Sequence, residues 1–171
     1  FNCGVTTSYQ FIHERFGSNF RLTEMQSVIG RNQLKKLKEW NSIRIRNAML
    51  LREILSQIPG LRAPIPSEEY KHAWYKFHCY INPSHFKSEW SRERIIESIK
   101  DEGFPAFHGS CSEVYLEKCF KNRGFIPPKR LKNAQTLGET SLMFLVHPTI
   151  TEDQMLCYAR CISEVIKRSC K

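Results

Sequence analysis

Residues 17–37 read GSNFRLTEMQSVIGRNQLKKL, a polar turn that leads directly into a helical pattern. Thr23 and Gln26 form a T-x-x-Q capping box, so a helix is predicted to begin there. Arg21 precedes that start, at the positive end of the helix dipole, which disfavours a cation by up to about 1 kcal/mol. We therefore expect Arg21 to face an anion, supplied either by a neighbouring glutamate or by a ligand.

Apolar residues continue at helical spacing from Thr23 to Ile58, where Pro59 and Gly60 end the pattern. The run predicts one long helix, or two helices in line. A helix of roughly 35 residues would extend about 50 Å at 1.5 Å per residue, which exceeds the diameter of a small domain. We therefore expect this helix to bridge two structural bodies.

The remainder of the chain predicts short strands that alternate with helices. Residues 61–71 are rich in proline and are interpreted as a surface linker. The following elements are then expected: a strand over Ala73–Ile81, a helix capped by Ser91 and closed by Gly103, a strand from near Phe104, a short helix over Val114–Phe120, a proline- and lysine-rich connection, a strand in SLMFLVHP, and a last helix after a second capping box at Thr151 and Gln154.

Composition limits the classes of partner. The formal net charge is +9, from 26 Lys and Arg against 17 Asp and Glu, and it favours anionic partners such as nucleic acid, nucleotide-linked substrates or phosphate cofactors. No apolar run approaches the roughly 20 residues needed to cross a bilayer, so a soluble protein without a membrane partner is expected. The seven cysteines are odd in number and scattered, which predicts free thiols in a reducing cytoplasm. Because the chain opens with Phe1 rather than Met, we expect an excised piece of a longer protein.

Four segments together carry a family resemblance. They are FGSNFRLTEMQSVIGRNQLKKL, AWYKFHCYI, GSCSEVYLEKCF and LGETSLMFLVHPTITEDQM. With these segments the chain resembles the C-terminal portion of the DegT/StrS family of nucleotide-sugar aminotransferases, which are pyridoxal-phosphate enzymes of the aspartate-aminotransferase fold type. The first segment is the most specific, because many of its positions match the family pattern at fixed spacing.

The resemblance implies a fold class, a division of roles and an activity. The fold would be α+β, with residues 1–22 ending the large domain and its active-site loop, residues 23–58 forming the connecting helix, and residues 59–171 forming a small domain with an antiparallel sheet flanked by helices. The enzyme would use pyridoxal phosphate to move an amino group, usually from glutamate, onto a nucleotide-linked keto sugar. A cytoplasmic homodimer with shared active sites is expected.

The resemblance also implies ligand contacts. Asn19 would reach the phosphate of the cofactor in the partner subunit, and Arg21 would lie beside it. His108 and Ser110 would lie at the sugar-binding mouth. The Schiff-base Lys of the family precedes the matched region, so no catalytic residue is assigned within this chain, and the chain alone is expected to be inactive.

Each of these residues also has a structural interpretation. Asn19 could be only a turn residue, Arg21 could pair with Glu24 or Glu14, His108 could be a loop histidine with a backbone partner, and Ser110 could be a helix cap. No metal site is predicted, because Cys157 and Cys161, one helical turn apart, are interpreted as buried small residues. A non-catalytic module or scaffold that binds nucleic acid through its basic surface remains the alternative function.

Overall fold

The computed structural model of the chain describes Gly17 and residues 21–171. The described residues fall into two compact units. The smaller unit comprises residues 109–139 with Gly17 and Arg21, and the larger unit comprises residues 22–108 and 140–171. The predicted division of roles among residues 1–22, 23–58 and 59–171 stays a prediction.

The larger unit begins with α1, Glu24–Leu55, the long helix that the sequence predicted. Both bonds of the capping box are present: Thr23 Oγ1 accepts the N–H of Gln26 at 3.2 Å, and Gln26 Oε1 accepts the N–H of Thr23 at 2.8 Å. With 32 residues, α1 is about 48 Å long at 1.5 Å per residue.

Burial divides α1 into two parts. Its buried residues all belong to the last third of the helix and are Asn47, Ala48, Leu51 and Leu55. Large apolar side chains of the first part are exposed within this chain: Met25, Val28, Ile29, Leu34 and Leu37. Helical spacing therefore located the helix, but it did not tell which part of its apolar stripe belongs to the core.

An antiparallel sheet lies at the centre of the larger unit. Its strands are β1 (Leu61–Arg62), β2 (Phe77–Ile81), β3 (Phe107–His108) and β4 (Ser141–Phe144), in the spatial order β1-β2-β4-β3. Phe77 of β2 lies opposite Phe144 of β4, and His108 of β3 lies opposite Leu142. The α+β fold class with an antiparallel sheet is confirmed.

Two further helices complete this unit, α2 (Arg92–Asp101) and α5 (Glu152–Ser169). Ser91 caps α2 by accepting the N–H of Arg94 at 3.2 Å, and α5 begins with the second predicted capping box. Both α1 and α2 pack against α5. The helices and the sheet share one apolar core, whose fully buried side chains include Leu51, Leu55, Phe77, Ile95, Ile99, Phe144, Ile162 and Ile166.

Several predicted boundaries in this unit were wrong. The supposed linker contains β1, which pairs with the end of β2. The strand predicted from Ala73 begins only at Phe77, because Trp74 has a φ of +47° and breaks the extended conformation. The strand expected near Phe104 begins at Phe107, and β4 ends at Phe144. Strand pairing, which the local pattern does not encode, sets these limits.

The smaller unit contains short helical segments. They are a 3₁₀ turn over Val114–Leu116, α3 over Lys118–Lys121 and most of α4, Lys132–Thr140. The sequence predicted a single helix at 114–120, but Glu117 is extended, with φ −61° and ψ 141°, and interrupts it. The sequence pattern did not predict a helix over the residues that form α4.

Six cysteines lie in the described part of the chain, and all six are free thiols, as predicted. Cys157 is exposed, so its interpretation as a buried small residue was wrong, whereas Cys161 is half-buried and packs against the apolar core. Between them, Tyr158 and Ile162 of the same helix are buried. Within residues 21–171, no helix combines the length and the apolar character needed to cross a bilayer.

Candidate functional site

The segment before α1 contains the two predicted cofactor contacts. Asn19 lies outside the described residues, so its role stays a prediction. Arg21 is exposed, and within the described part of the chain its side chain has no ion pair or hydrogen bond. The suggested pairing with Glu24 is therefore not observed there.

This donor set fits a phosphate group. The guanidinium of Arg21 offers five N–H donors in a fixed planar arrangement that matches phosphate oxygens. It precedes a helix N-terminus, whose partial positive charge also favours an anion. Because the helix cap already uses the side chains of Thr23 and Gln26, Arg21 is the described side chain here that remains available to a ligand.

His108 lies in β3, beside two charged side chains of α2. Its Nε2 is 3.6 Å from Glu93 Oε1, and the same oxygen accepts bonds from Nε of Arg92 at 3.0 Å and from Nη2 at 2.8 Å. The strand and the helix thus bring an imidazole, a carboxylate and a guanidinium together. The alternative interpretation of His108 as a loop histidine was wrong, because it pairs in the sheet opposite Leu142.

Charge and burial set the protonation of this group. Burial lowers the pKa of His108, and the positive charge of Arg92 lowers it further, although Glu93 opposes the shift. The imidazole is therefore neutral at pH 7, with one ring nitrogen as a donor and the other as an acceptor. Burial works against ionisation of Glu93, but bonds from its own backbone N–H and from Arg92 outweigh that effect and lower its pKa.

Ser110 lies in the smaller unit and is exposed. The 3₁₀ turn that follows begins after Glu113, which makes no side-chain cap bond, so Ser110 does not cap this turn. Its neighbour Cys111 has its Sγ 3.8 Å from Glu117 Oε1, a buried carboxylate. Ser110 therefore presents its hydroxyl to solvent, which is compatible with the predicted substrate contact but does not test it.

A charged network in the smaller unit was missed by the sequence reasoning. The carboxylate of Glu113 is buried and accepts bonds from Nε of Arg130 at 2.9 Å, from Nη2 of Arg130, and from the hydroxyl of Tyr115 at 2.5 Å. The Tyr115 oxygen in turn accepts the N–H of Leu131 at 3.0 Å. These bonds join the segment that contains Ser110 to residues 130–131.

The network fixes the charge of its members. The bond from Arg130 lowers the pKa of Glu113, and the bond from Tyr115 acts in the same direction. Burial and the neighbouring Glu113 raise the pKa of Tyr115. The carboxylate is therefore ionised and the phenol neutral at pH 7. A glutamate with a tyrosine two positions later is a common pattern and does not by itself indicate an ion pair. The partner of Glu113, Arg130, lies 17 positions further along the chain.

Metal ligation by several side chains has no support in residues 21–171. Within that range, no group of three or more His, Cys, Asp or Glu side chains is placed to hold a metal ion. The candidate contacts described above are thus a guanidinium before α1, a neutral imidazole in β3 and a solvent-facing hydroxyl.

The antiparallel sheet, its flanking helices and the long capped helix form an architecture that is also found in solved aminotransferases. An aminotransferase from Psychrobacter cryohalolentis has a similar structure, with a TM-score of 0.82 and 44% sequence identity, over 97% of this chain and 44% of that one. A GDP-4-keto-6-deoxymannose-3-dehydratase with a trapped PLP-glutamate geminal diamine shares the fold, with a TM-score of 0.68 and 21% identity, over 85% of this chain and 37% of that one.

Sequence comparison identifies the family. Residues 1–162 match the DegT/DnrJ/EryC1/StrS aminotransferase family, and the chain belongs to it. A dTDP-4-dehydro-2,6-dideoxy-D-glucose 3-dehydratase of Saccharopolyspora spinosa is 27% identical over 97% of this chain and 35% of its own length. The chain thus spans about a third of that relative, and the resemblance inferred from the sequence motifs is confirmed. Members of the family are pyridoxal-phosphate enzymes of sugar biosynthesis.

Proposed function

We propose that the chain is part of a pyridoxal-phosphate aminotransferase that moves an amino group from glutamate to a keto sugar carried by a nucleotide diphosphate. The observation that supports this most is the 44% identity to an aminotransferase over 97% of the chain, within the family match. A cytoplasmic homodimer with shared active sites belongs to the same proposal, and residues 23–58 would connect its two domains.

The cofactor, when bound, supplies an electron sink for the carbon that carries the transferred amine. Asn19 and Arg21 would hold its phosphate, Asn19 through its amide and Arg21 through its exposed guanidinium. Their part is to bind and orient the cofactor, because neither side chain can accept a proton at neutral pH. The proton-transferring lysine of the reaction is not assigned to any residue of this chain.

Two further residues would contact the sugar. With Nε2 directed to Glu93, the neutral imidazole of His108 keeps Nδ1 as an acceptor, which suits a sugar hydroxyl group. Glu93 would orient the ring through its 3.6 Å approach to Nε2. The exposed hydroxyl of Ser110 would offer a second polar contact, and the network around Glu113 would hold the segment that carries it.

The reaction class can be tested with the complete protein. Glutamate and a nucleotide-linked 4-keto sugar should yield 2-oxoglutarate and an amino sugar in equal amounts. Because two similar proteins are 3-dehydratases, the competing outcome is loss of water from the sugar without transfer of nitrogen. A product that contains no nitrogen would refute the aminotransferase proposal while leaving the family assignment intact.

The phosphate contacts have a separate test. Asn19→Ala and Arg21→Ala should each weaken cofactor binding about 10- to 100-fold, since a hydrogen bond to a charged group contributes about 1.5–3 kcal/mol. Lys35→Ala is the matched control, because Lys35 is an exposed cation on the first part of α1. Equal affinity in all three variants would refute the role of the turn.

Sharing of the active site can be tested by mixing subunits. At a cofactor concentration too low to saturate Asn19→Ala, this protein and a protein without the catalytic lysine should each have little activity, and mixed dimers should regain activity if one site draws on both chains. Failure of mixed dimers to form active enzyme would argue for sites within single chains. For the nucleic-acid alternative, DNA binding that falls steeply with salt in a protein without transaminase activity would favour that function instead.

A further inference from the structure

Two thiols lie one helical turn apart on α5, where its exposed side meets the side packed against the core. Cys157 is exposed and Cys161 is half-buried, and four positions separate them in one continuous helix. Residues i and i+4 of a helix are surface neighbours, with their Cβ atoms about 5–6 Å apart. The same surface is lined by Asp153, Arg160 and Glu164. None of these residues belongs to the proposed active site.

The spacing excludes a disulfide within the pair. A disulfide needs Cβ atoms about 3.5–4.5 Å apart, so the helix would have to distort before the two sulfur atoms could bond. Both thiols are free in the structure. An ion placed between the sulfur atoms removes this conflict: two metal–sulfur bonds of about 2.3 Å each separate the sulfurs by about 4.6 Å in a linear arrangement.

The number of donors selects the kind of ion. Tetrahedral zinc requires four ligands, and residues 21–171 hold no group of three or more suitable side chains. A pair of thiolates instead suits a soft d¹⁰ ion that accepts two ligands, and Cu(I) is the biological ion that soft sulfur ligands select. The surroundings favour a cation, because Glu102 and Glu164 place negative charge near Cys161, while Arg168 opposes them in part.

We propose that Cys157 and Cys161 form a two-thiolate binding site for a soft monovalent cation, with Cu(I) as the ion. Binding replaces two S–H bonds by two Cu–S bonds and releases two protons, without any change in the oxidation state of sulfur or copper. Because both thiols must lose a proton, affinity for Cu(I) rises with pH.

The test uses the complete protein under anaerobic, reducing conditions, with Cu(I) in competition against a coloured chelator. Cys157→Ser and Cys161→Ser should each weaken the tightest site at least about 100-fold, because chelation by two tethered ligands gains a factor of about 10²–10⁴. Cys170→Ser is the matched control. Cys170 is also half-buried, but its thiol is directed to the carbonyl oxygen of Ile166, at 3.2 Å, so this variant should keep the affinity.

Moving the second cysteine along the helix tests whether the spacing of the two thiols, and not merely their number, determines Cu(I) affinity. In a Cys161→Ser protein, adding Arg160→Cys places the thiols at i and i+3 and should restore tight binding. Adding Glu164→Cys instead places them two turns apart and should not. The proposal is overturned if either single serine variant binds Cu(I) like the unmodified protein, or if both shifted variants behave alike.

Discussion

Replacing Asn47 by alanine should loosen the attachment of α1 to the connection between β4 and α5. The side chain of Asn47 is fully buried. Its Nδ2 donates to the carbonyl oxygens of His147 at 3.2 Å and Ile150 at 3.4 Å, and its Oδ1 accepts two bonds from Arg46. One amide thus joins a helix to a loop about a hundred positions away in the sequence.

The expected loss of stability follows from the hydrogen bonds that each partner of Asn47 retains. The His147 oxygen also accepts the N–H of Ile150 at 3.0 Å, and the Ile150 oxygen also accepts Nη2 of Arg46 at 3.4 Å. Neither carbonyl is left without a donor, so each lost bond costs its net value of about 1 kcal/mol. The exposed guanidinium of Arg46 can replace its bonds to Asn47 by bonds to water at little cost, while Nη2 stays near the Ile150 oxygen. Together the two lost bonds predict about 2 kcal/mol, before a small addition for the cavity.

Hydrogen exchange measured by mass spectrometry is the suitable assay, because unfolding of a protein with several domains is not two-state. A loss of about 2 kcal/mol should speed local exchange about 30-fold in peptides from the end of α1 and the start of α5. Asn41→Ala is the control: its Oδ1 is buried without a hydrogen-bond partner in the described part of the chain, so its removal should not speed exchange. If Asn47→Ala and Asn41→Ala exchange alike, the energetic argument fails.

Three further changes test the remaining features. His108→Asn should flatten the pH dependence of stability below about pH 6.5. The pKa of His108 is lowered in the folded protein, so the unfolded chain binds the proton more readily and the free energy of unfolding falls as the pH falls. Unfolding curves recorded in acid should show that the variant lacks this decline. Gly60→Ala should lower the free energy of unfolding, measured by urea titration, by at least about 1–2 kcal/mol. The φ of Gly60 is +81°, and the new Cβ would lie 2.5 Å from the Cβ of His85. Gly103→Ala should cost less, because Gly103 has a similar φ of +87° but no atom within 4 Å of its new Cβ. Glu113→Gln should speed exchange in residues 109–131, because its arginine partner loses the charge it binds, and unchanged exchange would mean that the network does not hold this segment.

Local signals predicted the helices that carry their own start and stop residues. Thr23 with Gln26, and Thr151 with Gln154, each satisfy backbone groups within four residues, so a short stretch of sequence contains the whole interaction. The end of α1 was predicted less precisely, because the helix ends at Leu55 and not at Ile58 before the proline and glycine. Strand limits were predicted less well, because β1 has two residues and exists only through its pairing with Ile81 and Tyr80.

In the candidate site, too, local features could be predicted from the sequence and long-range contacts could not. The position of Arg21 before a capped helix, and the family motif around it, could be identified from the sequence. The contact of His108 with Glu93 could not, because it requires β3 to lie beside α2. The exposure of Cys157 was also mispredicted, since helical spacing tells which residues share a face but not which face is turned to the core.

The sequence by itself determined the family, the fold class and the long capped helix, because these depend on residue types at fixed short spacing. Only the tertiary structure decided which residues are covered, which charges are paired and which thiols reach solvent. The physical reason is that burial and ion pairing depend on segments far apart in the chain, such as Asn47 with Ile150 and Glu113 with Arg130. Their contact is a property of packing, which no local pattern contains.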